Sequence, residues 1–176
     1  LPAPAVEVAL ELAEELIVTA AERGDQQTEG WGLIVAIECR VRQGRTADVQ
    51  DRFGEMERWI EHKAASNEKV CPVGMMALGH LFEDRRADAE RLAADAVELA
   101  GSTNTLVYWT LSGLHAAAET HLRLWEMESD DTARWAGGAR KLVKVLKGHA
   151  RVFPFSRPAW MLMDAWLLWL EGKEDK

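Results

Sequence analysis

Residues 41–49 read VRQGRTADV and residues 81–89 read LFEDRRADA. Laid one over the other, they match Arg45 with Arg85, Ala47 with Ala87 and Asp48 with Asp88, and each stands between one apolar helical stretch and the next. MESDDTARW (127–135) and WLEGKEDK (169–176) occupy comparable points, each after an apolar helix. The interval of roughly 40 to 47 residues is within the length that two-helix repeats span. A single helix pair cannot bury its own apolar face, so such pairs must stack into a continuous core.

The segments around these turns carry the helical period. In 5–23, Val6, Ala9, Leu10, Ala13, Leu16, Ile17 and Ala20 recur at three and four residues among glutamates, and Gly24 stops the run. A nearly all-apolar segment fills 29–42 and stops at Gly44. In 46–64 a stripe of Val49, Phe53, Met56 and Ile60 follows Thr46, a residue suited to an N-cap. Segment 70–82 is small and apolar, with Gly74, Ala77 and Gly79 where backbones can approach closely. Segment 86–100 carries Ala89, Leu92, Ala93, Ala96 and Leu99, and Gly101-Ser102 is expected to end it and cap the next helix. A long helix over 103–127 and another over 131–151 follow, the latter with Ala139, Leu142, Val143, Leu146 and Ala150 in register. The closing helix begins after Phe153-Pro154.

No segment alternates with period two, so the expectation is an all-α protein of seven to eight helices, in antiparallel pairs joined by short connections. With 176 residues, 48% hydrophobic and 28% charged, residues 1–176 form one domain able to bury a core. A first residue that is not Met suggests a segment of a longer multidomain protein.

A net charge of −8 and a pI near 5.2, with bases scattered among acids, argue against nucleic-acid binding. Arg85-Arg86 and the lysines of 141–147 read as solvated helix faces. Cys39 and Cys71 match neither a disulfide framework nor a zinc spacing, which fits a reducing, cytoplasmic setting. The apolar run 159–170 is 12 residues long and interrupted by Asp164, against the roughly 20 residues a membrane span needs. Being apolar almost all round, it reads as a helix buried between protein neighbours.

The phrases ELAEELIVTAAERGD, RADAERLAADAVELA and RVFPFSRPAWMLMDAWLLWLEGKEDK resemble tetratricopeptide-like repeats. The likeness is to the degenerate repeats C-terminal to the ATPase domain in bacterial adenylate-cyclase-type predicted ATPases and MalT-like signalling proteins. In that family a Phe-Pro-x-x-Arg-Pro loop leads into a helix ending in a Gly turn, matched here by Phe153, Pro154, Arg157, Pro158 and Gly172. The resemblance implies a TPR-like α-solenoid that senses or scaffolds, binding a protein, a peptide, a small ligand or a neighbouring domain. Where a turn glycine would serve, this chain has Asp84.

Candidate chemistry is sparse. His115 and Glu119 share a helix face, but His121, six positions from His115, lies about 240° round the helix, so one helix cannot present all three to a metal. The carboxylate pairs Glu14-Glu15, Glu126 with Glu128, and Asp130-Asp131 read as solvated faces and caps, not as a buried general acid. Asp164 is expected to pair with Arg157 or with a base on a neighbouring helix. Gly30-Trp31-Gly32 and Gly137-Gly138 match no phosphate-loop spacing. The eight tryptophans follow helical spacing, most of them for packing, with two or three left to line a groove.

These readings converge on a non-catalytic interaction or sensing module with no cofactor or metal, binding in a groove formed by the first helix of each pair. A spacer between an ATPase and an output domain is the alternative, and a small helical enzyme a more remote one. Gly172 would end the first helix of a further pair, leaving some of Trp160, Met163, Trp166, Leu167 and Leu170 without cover. Trp160, Met163, Trp166 and Leu170 are therefore the expected partner contacts, with self-association through the closing helix as one outcome.

Overall fold

A computed structural model describes residues 3–62, 64, 68–102, 107–128 and 132–173. Among the described residues there are eight α-helices and no strand. They are α1 (Ala3–Arg23), α2 (Gln26–Arg42), α3 (Gln50–His62), α4 (Val70–Phe82), α5 (Arg86–Ser102), α6 (Leu111–Met127), α7 (Thr132–Val152) and α8 (Arg157–Leu170). Short 3₁₀ turns at Thr46–Val49, Tyr108–Thr110 and Pro154–Ser156 lead into α3, α6 and α8.

Each connection has a local cause. Gly24, Gly44 and Gly172 adopt φ of 68°, 71° and 66°, and Asp84 adopts φ of 58°. At each, the next amide reaches back five residues, Asp25 to Ala20, Arg45 to Arg40, Arg85 to His80 and Lys173 to Leu168, all at 2.9 Å. This is the Schellman closure, in which a left-handed residue lets late amides satisfy the last carbonyls of the helix. Gly44 and Asp84 are the aligned positions of the two matching turns, and Arg45–Asp48 and Arg85–Asp88 form the same i,i+3 ion pair after them. The match between these two turns in the sequence is thus a match of backbone geometry, while α6 ends differently, at an extended Glu128.

Several boundaries differ from expectation. Helix α2 starts at Gln26, before residue 29, because the Asp25 carboxylate accepts from the Thr28 amide at 3.1 Å and caps it. Thr46, itself buried, opens a 3₁₀ turn, and α3 begins only at Gln50. The long helix expected over 103–127 starts at Leu111, since Val107 is extended and Tyr108–Thr110 is a 3₁₀ turn. Helix α5 runs on through Gly101 and Ser102, and residues 103–106, with Asp130-Asp131, lie outside the described residues.

The even-numbered helices form a row, α2 against α4, α4 against α6 and α6 against α8. Helix α1 packs on α2, α5 on α4, and α7 on α6 and α8, with α5 also touching α7 in a second layer. The row is tightest at its centre. A Cβ on Gly74 would overlap the Gly113 carbonyl, and one on Gly113 would overlap the backbone of Cys71, so α4 and α6 cross backbone to backbone. Gly30 and Gly79 likewise receive the rings of Trp59 and Phe53 from α3. Every residue of α4 from Val70 to His80 is buried.

Two glycine substitutions should move stability in opposite directions. Gly74→Ala must push α4 off α6 and should cost about 1–3 kcal/mol. Gly148→Ala, in α7 with nothing near its Cβ position, should gain about 0.5–1 kcal/mol from helix propensity. Urea midpoints at constant m-value measure both.

Candidate functional site

The candidate site is an apolar cleft of about 260 Å³ lined by Trp31, Ile34 and Val35 of α2, Glu68, Cys71 of α4, and Tyr108 and Trp109 of the turn before α6. Trp31, Tyr108 and Trp109 are 48%, 64% and 40% exposed, so large aromatic faces meet solvent at its rim. Gly30 lies under Trp59 and Gly32 under Ile17, so α2 is gripped on both sides of Trp31 and that side chain points away from the core. Tyr108 and Trp109 stack edge to face with ring centroids 5.1 Å apart. The walls suit an apolar or aromatic group.

Cys71 at the base of the cleft carries no reactive thiolate. Burial, the largest cause, pushes its thiol up to about 12. Cys39 is also a free thiol, and burial raises it too.

The residues weighed for metal chemistry are drawn apart. His115 Nδ1 accepts from Arg42 Nη2 at 2.9 Å, and Glu119 pairs with Arg42 at 3.3 Å and with Arg123 at 2.8 Å. His121 turns the other way, donating from Nε2 to the Ala93 carbonyl at 3.1 Å and packing against Trp135. Among the described residues no cluster of His, Cys, Asp and Glu is placed to hold a metal ion. Nor is any helix there long and apolar enough to cross a membrane.

The closing helix presents a different face from the one expected. Met163 is 1% exposed and belongs to the core, while Trp160, Trp166 and Leu170 are half-buried against it. Trp166 lies under the Arg123 guanidinium and Trp160 under Lys147. The exposed apolar residues of α8 are Met161, Leu162 and Trp169. Asp164 makes no ion pair among the described residues; it faces the lysines of α7 across a groove, with Arg157 in a neighbouring one.

The loop of Phe153, Pro154, Arg157 and Pro158 folds around His149, which is fully buried. His149 Nε2 donates to the Val107 carbonyl at 3.0 Å, and Nδ1 shares a hydrogen bond of 2.9 Å with the Ser156 hydroxyl. Phe153 stacks on the ring at 4.7 Å, Pro154 starts the 3₁₀ turn, and Pro158 lies in the first turn of α8. This imidazole joins α7, α8 and the approach to α6.

Sequence reasoning did not single out Trp31, Tyr108 and Trp109. A signal was present: Trp31 stands between two glycines, and adjacent aromatics sit about 100° apart on a helix, too far round to share one narrow buried stripe. Compared with protein-family models, curated proteins and solved structures, the chain matches none.

Burial, followed by Arg85, pulls His80 from 6.5 down to about 4, and burial first also lowers His115 and His121. The folded state holds these rings neutral, while the unfolded chain protonates near 6.5. Their contribution is therefore complete above pH 6.5, and stability falls as pH drops from 6.5 towards 4. In His80→Leu the fall in urea midpoint over that window should be shallower, as read by circular dichroism.

Proposed function

We propose that this chain is a TPR-like α-solenoid segment that binds a protein or peptide partner without catalysing a reaction, as the interaction or sensing part of a multidomain signalling protein. The observation that carries the reading is the aromatic cleft. It draws on α2, α4 and the entry to α6, the successive members of one helix row, so a partner laid across them meets side chains from three consecutive units. The alternating packing of the two layers and the recurrence of one turn geometry at Gly24, Gly44, Asp84 and Gly172 support a repeat architecture.

The cleft selects by shape and apolarity. Tyrosine and tryptophan supply large rigid contact surface at small entropic cost, which is why such residues anchor interfaces. The expected partner is a segment that inserts one aliphatic or aromatic side chain between Trp31 and the Tyr108–Trp109 pair.

Selection from a random displayed-peptide library tests this. Recovered peptides should share an apolar anchor, and Trp31→Ala or Trp109→Ala should weaken their binding by at least tenfold while the melting temperature stays unchanged. A spacer role would be favoured if no peptide bound saturably, or if the selected peptides bound both variants as well as the parent.

A further inference from the structure

At opposite ends of the helix stack, α1 carries an open side with acidic and apolar residues and α7 a basic one. Among the described residues α1 packs extensively on α2 alone. Its buried stripe is Leu10, Ala13, Ile17 and Ala20. About a third of a turn round the helix lies a second apolar stripe, Val8, Leu12 and Leu16, which is 54%, 60% and 37% exposed. Beside it stand Glu11 and Glu15, both exposed and without an ion pair among the described residues.

At the other end, α7 and α8 flank a groove of about 420 Å³ whose lining includes the half-buried Leu168, with Val143 and Leu167, 4% and 7% exposed, belonging to the core. Its walls carry Lys144 and Lys147, neither in an ion pair among the described residues, and Arg140, which is held by Glu171. One unpaired acid, Asp164, faces these bases. Helix α7 has no acidic residue along its length, in a chain of net charge −8.

The packing within the chain says what fits there. In the second layer α5 lies against α4 and α6 and beside α7. A helix in the groove would continue that layer, packing on α8 and beside α7. It needs an apolar stripe for the floor and acids for the rim, and α1 has both.

We propose that copies of this chain associate head to tail, α1 of one copy lying in the α7–α8 groove of the next. Val8, Leu12 and Leu16 cover Leu168, and Glu11 and Glu15 meet Lys144 and Lys147. The contact is heterologous, since the two surfaces differ, so it propagates instead of closing as a two-fold dimer. It is separate from the aromatic cleft, and either can fail without the other.

Sedimentation equilibrium on the 176-residue chain from micromolar to millimolar concentration tests the proposal. The average mass should rise past that of a dimer as concentration rises, and high salt should weaken the association. Leu12→Glu disables the helix and leaves the groove intact; Lys144→Glu with Lys147→Glu does the reverse. Each variant should keep the parent's helical spectrum and melting temperature and associate at least tenfold more weakly. Mixed in equal amounts, they should recover one intact contact and form a 1:1 heterodimer that grows no further. A monomer throughout the range, a dimer that neither set of changes weakens, or variants that stay apart when mixed would each overturn the proposal.

Discussion

The contact between Gly74 and Gly113 sets the spacing of the central helices, and much of the remaining structure follows from it. With no side chain at either position, the backbones of α4 and α6 meet directly. Their neighbouring side chains then reach past the crossing into the facing layers, and α4 ends up enclosed over Val70 to His80. Packing this close makes each buried group sensitive to volume, so truncating Leu78, Leu114 or Leu122, all fully buried, belongs to the class of change that costs about 2–5 kcal/mol.

Close packing also determines where polar groups can be kept. Thr120 donates to the Ala116 carbonyl, His121 to Ala93, and His149 joins Val107 to Ser156. The Thr120 bond lies within α6, whereas the histidine bonds are directional and join different elements. An unmade bond in such surroundings costs about 1–3 kcal/mol, so the histidines favour one register over its neighbours. Burial lowers His80, His115 and His121, and His121 and His149 are turned towards backbone carbonyls.

What the core does not absorb is distributed unevenly over the surface. Aromatic area gathers at the cleft, because the close approaches at Gly30 and Gly32 leave Trp31 no place inside. Negative charge gathers on α1, which carries Glu7, Glu11, Glu14, Glu15 and Glu22 against Arg23, while α7 is wholly basic. Arg40 and Arg52 draw Glu14 into the structure and Arg45 pairs with Glu7, while Glu11 and Glu15 make no ion pair among the described residues. A stack of helices with an acidic helix at one end and a basic one near the other differs physically from a uniform globule of the same net charge.

The sequence by itself determined the helical class, most of the elements, and the turns, because these depend on periodicity and on residues that tolerate a left-handed backbone. Gly24, Gly44 and Gly172 act within their own neighbourhoods, and the match of Arg45-x-Ala-Asp with Arg85-x-Ala-Asp marked two equivalent turns before any contact was known. The close approach at Gly74 and Gly79 was also legible, since glycines in an apolar helix leave room for a neighbour. Tertiary structure alone decided which faces remain open. Met163 and Trp169 are alike in hydrophobicity and lie on one helix, yet the first is in the core and the second meets solvent. That difference depends on where α6 and α7 stand, which residues far away in the chain decide. The cleft has the same origin: Trp31, Cys71 and Trp109 are brought together by the crossing of three helices, and no local pattern records that crossing.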